Sequence, residues 1–308
     1  MLPKPNELLN TVKEWSREDY FSDEALNFHS LWDFRKDRKL FAAGYFAVKE
    51  TTDAMRQGTQ FHELVLEGDE VFNANNALFT PPVNEKTGKQ YGAETKAYAE
   101  ARAEWEKANP GKTAYTPEEW DLFARMRDAI ISHPAAGGIL FPEEAETASE
   151  LKFRGEYAPG WAVKGSIDRY DAEIGIIDLK TCAEIERYDG YRSFEKTCLF
   201  GGYIEQLAFY QEMFYELIDP RPVEERNYIP VKIIGIEKKP PFRCQVIAPD
   251  PGTMAEARNY IRRLIEDYCF CVSKQFWPGN YDEETVISKD YGRAARDYVF
   301  AMDLYKNA

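Results

Sequence analysis

The chain has 308 residues, of which 44% are hydrophobic, 30% charged and 14% aromatic, a composition that excludes disorder and is long enough for one large core. Its formal net charge of -14 favours solubility and, averaged over the surface, counts against a nucleic-acid partner. No apolar run approaches ~18 residues and "MLPKPNELLN" lacks the charged-then-apolar order of a signal peptide, so a soluble, cytoplasmic protein with no membrane partner is expected.

Residues 20–72 read as mostly helical, with Phe61, Leu64 and Val65 at helical spacing between Gly58 and Gly68. Residues 73–118 are polar and punctuated, as in a surface excursion, with one helix in "AETKAYAEARAEWEKA". Thr116 followed by Pro117 predicts an N-cap opening a helix that ends near Ser132–Pro134. From residue 145 strands take over in "ETASELKFRGEY", "GWAVKGSIDRYDA" and "EIGIIDLKTC". After the break at Gly201–Tyr203 come a helix in "IEQLAFYQEMFYELI", two strands in "PVKIIGIEKKPPFRCQVIAP" and a long helix in "GTMAEARNYIRRLIEDYCFCV". This order predicts an α/β fold with a central mixed sheet flanked by helices. The five cysteines form no CxxC pair, which points away from a disulfide framework or a zinc ribbon.

The chemistry concentrates in "KGSIDRYDAEIGIIDLKTC", Lys164 to Cys182. Asp178 and Lys180 lie two apart on a strand and share a face. The run "IGII" before them is apolar on both faces, as in a buried central strand. A turn at "YDAE" would bring Asp168 to Asp178. Adjacent carboxylates repel unless a cation lies between them. Oxygen ligands without His or Cys pairs suit Mg²⁺ or Mn²⁺. Metal, carboxylates and a lysine together suit hydrolysis at phosphorus.

These residues resemble the PD-(D/E)xK nuclease superfamily, and more narrowly the RecE-type exonucleases (exodeoxyribonuclease VIII-like, related to the phage lambda exonuclease). "GTQFHELVLEGDEVF" is similar to that family's G-x-x-x-H-x-x-x-L-E segment, "ETASELKFRG" to the strand carrying an upstream acid, "VKGSIDRY" to the segment with the first aspartate, and "GGYIEQLAFY" to its Q-x-x-x-Y helix. The hairpin departs from the family's frequent Asp-Gly turn, having "DAEIG" instead. The resemblance spans roughly residues 20–275.

It implies a single nuclease domain over 1–308, made of a mostly helical N-terminal part (1–140), a PD-(D/E)xK core (141–275) and a C-terminal tail (276–308). Asp168, Asp178, the carbonyl of Leu179, Glu150 and His62 are the expected metal ligands, with Glu146 competing with Glu150 as the upstream acid. Lys180, positioned by Gln206, would orient or deprotonate the attacking water. Arg154, Lys164, Thr181 and Tyr210 are candidates for contact with DNA. The implied activity is 5′→3′ degradation of linear double-stranded DNA by a homo-oligomeric ring, leaving 3′ single strands for a RecT-type annealing protein. The rival readings are an endonuclease or repair nuclease of the same superfamily and a non-catalytic module that binds DNA ends.

Overall fold

Side-chain caps start most of the helices. Thr116 accepts from the Glu119 N–H while Glu119 reaches back to the Thr116 N–H, and Asp250 accepts from the N–H groups of Gly252 and Thr253. The computed structural model describes residues 2–12, 15–46, 52–142, 146–186 and 193–279. In chain order the helices are α1 (Arg17–Ser22), α2 (Phe28–Lys36), α3 (Arg38–Ala42), α4 (Asp53–His62), α5 (Gly68–Asn75), α6 (Lys96–Ala108), α7 (Pro117–Ser132), α8 (Ala136–Leu140), α9 (Phe194–Phe200), α10 (Tyr203–Met213) and α11 (Pro251–Lys274). The strands are β1 (Asn76–Leu78), β2 (Thr113–Tyr115), β3 (Thr147–Ala158), β4 (Trp161–Asp171), β5 (Gly175–Cys182), β6 (Val231–Glu237) and β7 (Cys244–Ile247). Beyond Gly279 the expected C-terminal tail lies outside the described residues.

The fold is the expected mixed α/β architecture. Five strands form one sheet in the order β3-β4-β5-β6-β7, antiparallel throughout except for the parallel β5–β6 pair. Alternation along β5 and β6 separates two cores. Ile176, Val231 and Ile233 pack with Leu207, Met213 and Leu264 of α10 and α11. Ile177, Leu179, Ile234 and Ile236 pack with Phe61, Phe123 and Ile139 of α4, α7 and α8. Central strands covered on both faces read as continuous apolar runs, which is why "IGII" carries no alternation. Among the described residues no helix is long and apolar enough to cross a membrane.

The structure adds detail to two sequence readings. The Gly58–Phe72 stretch is broken: α4 ends at His62, a π turn covers Glu63–Glu67, and α5 starts at Gly68. Three consecutive apolar side chains, Leu64, Val65 and Leu66, are all buried in this π turn. The polar excursion is also less loose than its composition implies. β1 and β2 pair in parallel there, and buried Phe79 meets the rings of Tyr98 and Trp105 edge-on.

Candidate active site

The site forms where β4 and β5 part. The hairpin ladder runs from Asp171↔Gly175 to Arg169↔Ile177 and stops, while β5 continues alongside β6 as far as Cys182↔Glu237. Asp168 and Asp178 are the first residues past the last rung. The Leu179 N–H faces the opening and donates to Asp168 Oδ2 at 2.9 Å; a carboxylate thus replaces the missing strand carbonyl. The turn itself works without an Asp-Gly pair. Asp171 Oδ1 accepts from the N–H groups of Glu173 and Ile174, and Gly175 takes φ +101°, where a Cβ would lie 2.1 Å from the Pro230 carbonyl oxygen.

A second irregularity aims the upstream acid. Ser149↔Arg169 and Leu151↔Ile167 flank Glu150 and Asp168, which places these two acids opposite one another across β3 and β4. At this point the side-chain alternation slips. Leu151, Phe153 and Ile167 pack into the α10 core from odd positions, whereas Ala148 and Tyr170 reach the same core from even ones. Glu150 absorbs the slip with φ +47°, a left-handed conformation that a non-glycine residue adopts at a cost. Its Oε2 accepts from the Ser166 hydroxyl at 2.9 Å. Glu146 instead pairs with Lys4 at 2.6 Å on the surface, so Glu150 is the acid that the fold brings to Asp168.

His62, the last residue of α4, completes the cluster. Its Nδ1 is 3.6 Å from Asp168 Oδ2, and ligand atoms of His62, Glu150 and Asp168 all lie within 4.8 Å of one another. Asp178 stands beside this trio. One of its oxygens accepts from Lys180 Nζ at 2.8 Å, and the other, Oδ2, is buried without a partner. Lys180 Nζ lies 5.2 Å from the centre of the Tyr203 ring.

The electrostatics are those of crowded acids. Burial, reinforced by Asp168, pushes the Glu150 carboxyl up to about 7. Burial pushes Asp178 up to about 6, Lys180 lowering it and Asp168 raising it. Burial also raises Asp168, against the pull of Lys180 and the Leu179 N–H. For Lys180, burial is outweighed by the charges of Asp178 and Asp168, so its pKa is raised and the ammonium persists. Burial, with Lys180 nearby, drops His62 to about 4, leaving a neutral imidazole able to donate a lone pair.

These residues fit a divalent cation. Two opposed carboxylates, a neutral imidazole and the unanswered Asp178 oxygen are the groups that a cation would satisfy, and an oxygen-rich set suits Mg²⁺ or Mn²⁺.

The other candidates are arranged differently. Gln206, only 7% exposed, donates to the Tyr210 hydroxyl at 3.1 Å, so it is Asp178 and Tyr203 that surround the Lys180 ammonium. Tyr210 is itself buried and has no surface to offer DNA. Lys164 is buried too, donating its ammonium to the Tyr20 and Asp23 carbonyls, and Arg154 pairs with Asp23 at 2.9 Å. Thr181 lines a cavity of about 440 Å³ with Tyr203 and Thr197, next to Lys180. Sequence reasoning passed over Ser166 and Tyr203. Ser166 was findable, two residues from Asp168, whereas Tyr203 offered no signal beyond its place after the Gly pair.

Residues 40–289 match a family described as a PDDEXK-like domain of unknown function (DUF3799). No curated protein matches the chain. Among solved structures, a crystal structure described as "Putative exonuclease" from Eubacterium rectale is similar in fold, with a TM-score of 0.53 at 16% sequence identity over 95% of this chain and 98% of that one.

Proposed function

This chain belongs to the PDDEXK-like domain family, and hence to the PD-(D/E)xK nuclease superfamily, and from that premise we propose that it is a Mg²⁺-dependent exonuclease acting 5′→3′ on linear duplex DNA. The observation that carries the reading is the parted hairpin, with Asp168 and Asp178 at the opening and Lys180 bonded to Asp178 at 2.8 Å. The likeness in fold to a protein described as an exonuclease supports an exonuclease over other members of the superfamily.

In this reading Asp168, Glu150 and His62 would hold the metal, with the unpartnered Asp178 oxygen beside them. A bound divalent cation supplies a Lewis acid that acidifies water and stabilises charge on phosphate oxygens. The chain's own contribution is positional. The Leu179 N–H fixes Asp168, Ser166 fixes Glu150, and Asp178 with Tyr203 fixes Lys180. Lys180, held by Asp178 and Tyr203, would orient the attacking water, as a hydrogen-bond donor or as its general base. The water oxygen would bond to phosphorus as the bond to the departing sugar oxygen breaks; the water's proton would pass to Lys180 or to bulk water, and the leaving oxygen would take a proton from bulk water. The product end is a 3′ single strand suited to a RecT-type annealing partner. A ring that threads the duplex would confine basic residues to a channel, which reconciles a net charge of -14 with DNA.

The test uses full-length wild type and Asp178→Asn with linear and covalently closed circular duplex, in Mg²⁺ or EDTA, and measures acid-soluble nucleotide release. Release from linear DNA alone, lost in EDTA and in the variant, is expected. Equal attack on closed circles would replace the exonuclease with an endonuclease, and no release from either would favour a DNA-end-binding module. Light scattering after gel filtration checks the ring, and a monomer in the active state would refute it.

A further inference from the structure

Asp168 has a neighbour that the catalytic reading does not use. Arg169 turns to the α8 side of the sheet, where it is 7% exposed. Its Nη1 donates to the Leu140 carbonyl at 3.1 Å, its Nη2 to the Thr147 hydroxyl at 3.2 Å, and its buried Nε has no partner. A guanidinium carries five N–H donors, so these two bonds leave three unanswered. Among the described residues no carboxylate lies within ion-pair distance of it; the charge of buried Asp171, which accepts from the Glu173 and Ile174 N–H groups, only partly offsets its burial. A buried cation in this condition is costly unless an anion reaches it.

Arg169 lines a cavity of about 450 Å³ whose wall also includes Arg127 of α7 and Glu67, Gly68 and Asp69. Those last residues are the start of α5, an eight-residue helix whose N-terminus no side chain caps. Gly68, at φ +87°, brings no side chain to that end, and its own N–H donates to the Glu63 carbonyl. Arg127 holds Asp69 at 2.9 Å, which removes one of the two carboxylates in the wall and leaves Glu67 as the other. Forked guanidiniums and the first-turn N–H groups of a helix that no side chain caps are the donor types that match a tetrahedral oxyanion.

We propose that this cavity is a phosphate-binding site, with Arg169 as its buried anchor and Arg127 and the first turn of α5 as the outer donors. It is joined to the catalytic cleft along the chain at two places, by Asp168–Arg169 in β4 and by the His62–Asp69 segment. The phosphate could belong to DNA or be free inorganic phosphate. Only the DNA alternative rests on the nuclease reading.

Both arms of the test are run in EDTA on the full chain, so neither needs cleavage. In the first, inorganic phosphate replaces chloride at constant ionic strength while the melting temperature is followed for wild type, Arg169→Gln, Arg127→Gln and the surface control Arg125→Gln. A saturable rise is expected in wild type and Arg125→Gln, with loss of saturation in Arg169→Gln and about a tenfold weaker half-saturation in Arg127→Gln. Removing the wall carboxylate by Glu67→Gln should tighten half-saturation. No saturable rise in wild type, or the same rise in all variants, overturns the site. Should Arg169→Gln fail to fold, Arg127→Gln against Arg125→Gln still decides. In the second arm, anisotropy of a labelled duplex gives Kd. A rise of about tenfold in Arg127→Gln beyond that in Arg125→Gln assigns the phosphate to DNA, and matching values assign it to free phosphate.

Discussion

Asp178, in the role proposed for it, would serve chemistry at the expense of stability. Its folded pKa of about 6 lies above the ordinary 3.8. The neutral acid therefore costs nothing below about pH 4, and the ionised form carries its full penalty above about pH 6. Asn keeps an acceptor for Lys180 but cannot ionise. In EDTA, Asp178→Asn should thus be more stable than wild type by about 1–3 kcal/mol at pH 8 and indistinguishable from it at pH 4, by denaturant unfolding. The same variant should be inactive; a destabilised variant at pH 8 would refute the charge penalty. Glu150, at about 7, sets a second expectation. A ligand must lose its proton to bind metal, so the Mg²⁺-induced rise in melting temperature should be small at pH 5.5 and approach its full size above pH 7. His62, neutral down to about pH 4, does not limit that range. Lys180→Gln should lower kcat by ~10²–10⁴ while the Mg²⁺ shift persists, which separates positioning of water from metal binding.

At the scale of elements, the β4–β5 hairpin carries the site because its ladder is short. Three rungs hold the turn, and the opening begins at the fourth position. Gly175 sustains this geometry with φ +101° and a Pro230 carbonyl where a Cβ would stand. Gly175→Ala should therefore destabilise the protein by more than about 2 kcal/mol, combining left-handed strain with a displaced backbone, and calorimetry can check it. The hairpin was legible in the sequence because the apolar run ending in D-x-K has a second acid, Asp168, at hairpin distance before it. The upstream acid was not. Glu146 and Glu150 have the same parity on a regular strand, and what separates them is the slip at Glu150 together with its register against Asp168. A slip of one residue changes which face a side chain takes, and no local residue preference announces it.

At the scale of the whole molecule, α3 near the N-terminus is fastened to α11 by a buried ion pair. Arg38 of α3 and Asp267 of α11 meet at 2.9 Å with side-chain exposures of 3% and 0%. Arg38→Met would leave a buried carboxylate without that partner and should cost about 3–5 kcal/mol in urea unfolding. The sequence by itself pointed to the fold class, through the order of its elements, and to the strand hairpin with Asp168, Asp178 and Lys180, because an unbroken apolar run and charges at its end are local properties read within twenty residues. Only the tertiary structure decided what surrounds them. It chose Glu150 over Glu146, brought His62 from another layer, withdrew Lys164 and Tyr210 from the surface, and bound Gln206 to Tyr210. Each of those outcomes depends on what packs against a side chain from a distant segment, such as the Tyr20 and Asp23 carbonyls that take the Lys164 ammonium. Such contacts exist only once the layers have come together.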